Sequence, residues 1–392
     1  MDEIRHTITR TVPEIMALRR ELHEHPEIRF EEQWTSDRVA QFLDEARIPH
    51  QRGYAKGTGI VATIRGEGHK TVLLRADMDA LEIREETGLP YASRIPDRMH
   101  ACGHDGHTAC LCGVAKALAE HQDLLKGAVK LVFQPAEEQA AGGRFMVEEG
   151  VLDDVDAAFA LHAWPTLPAG KIGIRPGWMM AGADWFRIKV RGVGCHGADP
   201  AAGVDPILVS AHITTALQSI VSREIDPWEA GVVTVARIQA GMATNIIPET
   251  ALLEGTYRSL RPEIHAKLAE AIQRVAEHTA RAHRASATVG FGERRYPALY
   301  NDPAMAALVA ETGREVLGAD NVVEIEQPCM ASEDFAFYLQ KVPGTLICLG
   351  IAPPAGAPSP PLHSPRFNFN DDAIPTAMRL LCGLVERVLG QP

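Results

Sequence analysis
The 392-residue chain reads as an α/β protein, a helix-covered sheet interrupted by a smaller α+β unit, and three observations lead there. Apolar runs at 71–74 and 157–161, and the mostly apolar stretch 129–133 with its single Lys130, show no alternation, the pattern of strands buried on both faces. From about residue 183 the pattern changes. Half-buried strands at 185–191, 231–239, 249–258 and 287–291 alternate apolar with polar residues, and helices at 205–222 and 261–285 separate them. That order, β-α-β-β-α-β, is ferredoxin-like. A helix at 302–317, a strand at 345–350 and a helix at 372–389 then resume the first pattern. The expected organisation is a first domain over 1–182, an insert over 183–292 with linkers near Gly182 and Gly292, and a return to the first domain over 293–392.

Taken in order, helices at 2–24 and 31–46 cover the sheet, the second with Val39, Phe42 and Leu43 inward. His23 and His25 precede Pro26, which ends the turn, and read as helix-end residues. A strand at 59–64 leads to the buried run at 71–74. Behind Gly103 and Gly106, the spacing of Ala109, Leu111, Val114, Ala115 and Leu118 predicts a helix, and further helical stretches fall at 143–149 and 332–338. Five prolines within 352–361 predict a surface loop, which delivers Leu362-His363-Ser364-Pro365.

Composition narrows the classes of function. A net charge of −12 argues against a nucleic-acid partner, and an anionic substrate would need local positive charge. No run of about 18 apolar residues marks a membrane span, and residues 1–5 lack a signal-peptide core, so a cytoplasmic location without membrane partners is expected. Seven cysteines at irregular spacing form no disulfide framework, and Cys110, Cys112, Cys348 and Cys382 sit in apolar runs as packed thiols.

Chemistry concentrates in Met99-His100-Ala101-Cys102-Gly103-His104-Asp105-Gly106-His107-Thr108. The Cys102-x-His104 spacing can present a thiolate and an imidazole to one divalent ion at a helix N-terminus, whose positive end favours the thiolate. Alone, the same spacing is equally a buried cysteine beside surface histidines. Three strands strengthen the metal reading. Asp77 and Asp79 follow the run at 71–74, Glu137 and Glu138 follow the one ending at 134, and His162 follows the one at 157–161. Open α/β sheets keep their ligand sites at such strand ends. Each could singly be a solvated loop, a charged turn or a structural histidine; four together point to one site. Adjacent side chains diverge, so one glutamate can bind a metal while the other faces the open position as a general base.

This set resembles the M20 metallopeptidase family, in the branch of N-acyl-amino-acid amidohydrolases that includes hippurate hydrolases, aminoacylase-like enzymes and auxin-conjugate hydrolases. The marks are Arg19-Arg20-Glu21-Leu22-His23, the segments 75–81, 99–109 and 134–138, Leu161-His162, His196-Gly197-Ala198, Asn245-Ile246-Ile247-Pro248-Glu249, the segment 332–335 and Leu362-His363-Ser364. The resemblance covers essentially the whole chain. It implies a phosphorylase/hydrolase-like catalytic domain with a mixed sheet, interrupted by a lid and dimerisation domain, and a homodimer or dimer of dimers. It implies Cys102, His104, Glu138, His162 and His363 as ligands of two divalent ions, Glu137 as general base, and Asp79 as the residue that orients a ligand. Asp105 and His107 read as capping and supporting residues. The resemblance also gives His196 to the oxyanion in the partner subunit's site, and Asn245 and Arg258 to the substrate carboxylate. Pro200 is followed by Ala201-Ala202-Gly203, where family members often carry a histidine.

The expected activity is hydrolysis of an N-acyl-amino acid to carboxylate and free amino acid. A dipeptidase or carboxypeptidase of the same architecture is the alternative enzyme, and a metal-dependent small-molecule binding protein the alternative outside enzymes. Thiolate and imidazole suit Zn²⁺, the family often uses Mn²⁺ or Co²⁺, and Ni²⁺ fits the same ligands. Trp164, Trp178 and Phe335 are the aromatic candidates for an acyl pocket.

Overall fold
The computed structural model describes residues 2–292, 295–353 and 359–390. It divides into two compact units, one of Met1–Gly177, Tyr300–Gln327 and Asp334–Pro392, the other of Trp178–Leu299 and Pro328–Glu333. In chain order the elements begin α1 (Asp2–Glu24), α2 (Gln33–Glu45), β1 (His50–Tyr54), β2 (Gly59–Arg65), β3 (Thr71–Asp77), α3 (His104–Glu120), β4 (Ala128–Gln134), α4 (Glu137–Ala140), α5 (Gly142–Glu148), β5 (Ala157–Pro168) and β6 (Ile172–Ile174). Then follow β7 (Gly177–Met180), β8 (Gly182–Arg191), β9 (Cys195–His196), α6 (Pro206–Ser219), β10 (Gly231–Ala240), β11 (Ile246–Ile247), β12 (Thr250–Ser259), α7 (Pro262–Ala282) and β13 (Ser286–Phe291). The chain closes with β14 (Leu299–Asn301), α8 (Pro303–Leu317), β15 (Val322–Glu324), α9 (Ala336–Leu339), β16 (Gly344–Ala352) and α10 (Ile374–Leu389).

The larger unit is built on an eight-stranded mixed sheet of order β1-β2-β4-β3-β5-β16-β6-β15, flanked by helices. Its four central strands, β4, β3, β5 and β16, run parallel, so their C-terminal ends open on one edge. Every residue of β3 and β4 is buried, which is why neither alternates apolar with polar residues, even though β4 carries Lys130 and β3 ends in Arg75 and Asp77. Helix α3 is buried on nearly all sides, and α1 contributes Ile4, Ile8, Ile15, Leu18 and Leu22 to the same core. Two glycines permit the start of α3. Gly103 has φ +89°, and a Cβ on Gly106 would come within 2.4 Å of the Phe369 ring.

The smaller unit carries a four-stranded antiparallel sheet of order β10-β12-β8-β13, the ferredoxin-like order expected from the sequence. One face packs under α6 and α7 through Ile188, Leu253, Ile213 and Ile272. The other bears Trp185, Arg187 and Lys189 to solvent, which is the alternation that marked these strands.

Local differences have local causes. The strand expected at 71–74 continues through Arg75 and Asp77 because their charges are paired inside the protein. The helix expected over 332–338 is only the single turn α9, preceded by Asp334, whose side chain bonds away from the helix. Strand β1, with Gln51, Arg52 and Gly53 all exposed, has no periodic signal. Much of the proline-rich loop expected at 352–361 lies outside the described residues. No described helix is long and apolar enough to cross a membrane.

Candidate metal centre
The parallel edge of the large sheet gathers the ends of β3 and β4 beside His162, which lies within β5 and not at its end as expected. Register places Asp77 opposite Gln134, two residues before the turn that carries Glu137, while Arg75 lies opposite Ala160, two residues before His162. The first residue of α3, His104, and Cys102 in the turn just before it come against this edge. His363 arrives from the far end of the chain, its backbone N–H donating to the Ala101 carbonyl at 2.8 Å with the residue itself left-handed at φ 64°.

The ligand atoms of Cys102, His104 and His162 lie within 4.8 Å of one another, and so do those of Cys102, Glu138 and His363. The two sets share the thiol. A third set, His104, Glu137 and Glu138, overlaps both. All five residues expected as metal ligands therefore meet in one place, together with Glu137. All are buried or nearly so except His363, whose side chain is 52 % exposed.

Hydrogen bonds aim these groups. The His104 Nδ1–H donates to the Asp79 carbonyl at 2.8 Å, which turns Nε2 into the site; there it is buried without a hydrogen bond, 3.7 Å from Asp77 Oδ2 and 3.9 Å from Glu138 Oε1. The His162 Nδ1–H donates to the Ala163 carbonyl, leaving Nε2 3.5 Å from Cys102 Sγ. Asp79 does more than face His104: its two carboxylate oxygens accept the N–H groups of Glu137 and Glu138 at 2.9 and 3.0 Å. The Glu137 carboxylate in turn accepts the Asp334 N–H at 3.4 Å.

Electrostatics describe a pocket that wants positive charge. Burial, then Glu138 and Glu137, push the Cys102 thiol well above its ordinary value. Burial, aided by His107, drops His162 to about 3, so its imidazole is neutral with a lone pair at Nε2. Burial opposes charge on His104 as well, but Asp77, Asp79 and Glu138 outweigh it and lift that ring to about 10. A buried thiol, the neutral His162 nitrogen, carboxylates at mutual ligand distance, and a His104 nitrogen that lacks any hydrogen bond and whose proton a cation would displace, fit divalent ions such as Zn²⁺ or Mn²⁺.

Sequence reasoning left Arg19 and Arg75 without a role and gave His107 only a capping and supporting one. His107 donates from Nδ1 to Asp77 at 2.6 Å and accepts the Ala163 N–H at Nε2, so it joins the end of β3 to β5, a supporting part without a cap on its helix. Arg75 is fully enclosed by Asp77, Gln134 and Asp334 at 2.7 to 2.9 Å. His23, read as a helix-end residue, is buried between Asp105 and Glu85, and Arg19 Nε lies 3.0 Å from Asp105. The available signal was charge inside unbroken apolar strands, which must find a buried partner. Phe335 is packed on Tyr338 with no exposed surface, so it belongs to the core, while Trp164 and Trp178 keep partial exposure.

His196, Asn245 and Arg258 lie in the smaller unit. His196 is paired with Ile246 between β9 and β11, the Asn245 carbonyl accepts the Gly197 N–H, and both side chains are exposed. Arg258 is half-buried on β12, its guanidinium donating to the Met330 carbonyl.

The fold and the shared thiol-centred ligand sets define a class, a two-unit α/β protein with a buried candidate metal site at the ends of parallel strands. The chain belongs to peptidase family M20/M25/M40, whose model matches residues 73–387. It is 40% identical over 379 residues to an IAA-amino acid hydrolase ILR1-like 4 from Arabidopsis thaliana, covering 96% of this chain and 86% of that one. It is 38% identical to an N-acetylcysteine deacetylase from Bacillus subtilis over 376 residues, 96% of this chain and 97% of the other. Among solved structures, the Bacillus subtilis YXEP protein, a dinuclear metal-binding peptidase of the M20 family, superposes with a TM-score of 0.84 at 34% identity, covering 98% of this chain and 99% of that one. The chain is a metal-dependent amidohydrolase.

Proposed function
We propose that this protein hydrolyses the amide bond of N-acyl-amino acids at the site centred on Cys102, with Glu137 as general base. The observation that carries the reading is the pairing of Glu137 with Glu138: one carboxylate belongs to the ligand set with Cys102 and His363, and the other is buried beside it, its backbone held by Asp79. The two relatives' names, an IAA-amino acid hydrolase and an N-acetylcysteine deacetylase, support an acylated amino acid as substrate.

Cys102, His104, Glu138, His162 and His363 would hold the two ions. When bound, such ions would lower the pKa of a water and polarise the amide carbonyl. Glu137 takes the water proton and delivers it to the leaving amine. Asp79 keeps the Glu137 backbone in place and fixes the tautomer of His104. His196 of the partner subunit would donate to the developing oxyanion, and Asn245 with Arg258 would hold the substrate carboxylate; the support is the family resemblance and the exposed, adjacent setting of His196 and Asn245.

Homodimerisation through the smaller unit is supported by its exposed apolar side chains, Ile207, Leu208, Trp228, Ile238, Met242 and Ile246. Light scattering behind size-exclusion chromatography tests this, and a monomer alone contradicts it. The proposed location is cytoplasmic, which cell fractionation tests.

Reconstitution with single metals, Zn²⁺, Mn²⁺, Co²⁺ and Ni²⁺, followed by turnover of acetyl-, benzoyl- and indoleacetyl-amino acids beside dipeptides, tests the substrate class and the metal together. Higher kcat/KM on the acylated amino acids supports the proposal, and faster turnover of dipeptides overturns it in favour of a dipeptidase.

A further inference from the structure
The turn that carries Glu137 and Glu138 is conformationally constrained. Ala136, immediately before α4, is left-handed at φ 58° and ψ 41°, and Ala141, immediately after, is left-handed at φ 52° and ψ 52°. Residues with a Cβ rarely adopt that region unless their surroundings hold them there. The Gly142 N–H donates back to the Ala136 carbonyl at 3.0 Å, and a Cβ at Gly142 would lie 1.8 Å from the Pro135 carbonyl oxygen. The direction of both glutamate side chains is thus set by the backbone at Ala136.

Three consecutive N–H groups enter this turn, and carboxyl oxygens of two buried acids receive them. Asp79 takes those of Glu137 and Glu138. The N–H of Ala136 goes to Glu32 Oε1 at 2.9 Å, while Glu32 Oε2 accepts the Thr58 hydroxyl at 3.0 Å. Glu32 has no exposed surface and stands at the N-cap of α2 without capping its own helix. The carboxylate of Glu27 receives the free amides of that first turn instead, from Trp34 and Thr35. An acid at a helix start ordinarily serves the helix; here it is diverted more than a hundred residues along the chain, to the one amide at the head of the Glu137–Glu138 turn.

We propose that Glu32 is a positioning residue for the Glu137–Glu138 pair, holding the left-handed Ala136 through its N–H and thereby fixing where the two carboxylates point. The inference rests on the reading of Glu137 as base and Glu138 as ligand. Burial and the charge of Asp79 push Glu32 up to about 8, so near neutral pH it holds Ala136 as an uncharged acid and adds no second negative charge beside Asp79.

The test compares Glu32→Gln, Glu32→Leu and Thr58→Val by steady-state kinetics and by amide hydrogen exchange of the segment 134–141 in the metal-free protein. Glu32→Gln keeps an acceptor for Ala136 and is expected to retain kcat within about threefold. Glu32→Leu is expected to lose about 10- to 100-fold in kcat with KM little changed, the signature of a misplaced reacting group. Its amides at 136–138 should exchange at least about tenfold faster than wild type. Should Glu32→Leu fail to fold, Thr58→Val loosens the same carboxyl and is expected to show a smaller change of the same kind. Unchanged exchange at 136–138 in the foldable variant, a rise in KM at constant kcat, or equal damage from Gln and Leu would overturn the assignment. If the wild type turns over no N-acyl-amino acid, the functional reading fails, and the exchange data still judge Glu32 on their own.

Discussion
The carboxylate of Asp79 accepts the backbone N–H of Glu137 at 2.9 Å through Oδ1, and Oδ2 takes the next N–H along the chain. A residue at the end of one parallel strand thus holds the turn at the end of its neighbour. The same aspartate lies on His104, through its carbonyl at 2.8 Å and Oδ1 at 3.3 Å. One side chain therefore spans both halves of the candidate centre.

Replacing Asp79 with Ala leaves two buried N–H groups without acceptors. The expected cost is about 1–3 kcal/mol of stability for each amide left unsatisfied, less whatever water restores, together with a fall in kcat. Asp79→Asn keeps one acceptor and should fall between. Urea denaturation and kinetics on the same preparations check the order.

Glu32 makes stability depend on pH in a definite direction. Its folded-state pKa is about 8, raised by burial and by Asp79, against roughly 4.3 in the unfolded chain. Between those values the folded protein holds a proton that the unfolded chain has released, so this group's contribution to stability declines as pH rises and is lowest above about 8. Asp79 faces it from the loop after β3, Thr58 from before β2 and Ala136 from before α4. Glu32→Gln removes the titration. The melting temperature of the variant minus that of the wild type should climb between pH 5 and pH 9; parallel curves would contradict the assignment.

Cys102 connects metal content to folding. Burial and two neighbouring carboxylates keep its thiol protonated until a cation is bound, so ion binding should release a proton and tighten as pH rises. Cys102→Ser should bind fewer ions per chain by plasma mass spectrometry, because the thiol belongs to both ligand sets. Chelation of the wild type should lower its melting temperature, with a stabilisation of about 4 kcal/mol lost where free metal exceeds its dissociation constant about a thousandfold.

Much of this architecture was legible because buried parallel strands write themselves as apolar runs and half-buried antiparallel strands as alternation. The strand ends at Asp77 and Gln134 are legible beside His162 from the sequence, although β5 does not end there as expected but continues past His162 to Pro168. Glu137 and Glu138 were legible as a pair because a strand runs straight into them. What stayed hidden depends on distance in sequence. Nothing near Glu32 announces that its side chain leaves α2 for Ala136, and His107 and Asp77 bond across 30 positions. His23 looked like a helix end because Pro26 follows it; its burial comes from Asp105 on α3 and Glu85 in a loop, neither of which leaves a mark on the helix itself. Phe335 looked like a pocket residue, and the Arg75 network beneath it makes it core.

The most direct measurement is the turnover of an N-acyl-amino acid by metal-loaded wild type and Glu137→Gln at equal ion content. A base that moves the water proton is worth about 10²- to 10⁴-fold, so kcat should fall by at least about a hundredfold while bound metal and melting temperature stay near wild type. Equal rates for the two proteins would contradict the account at its centre.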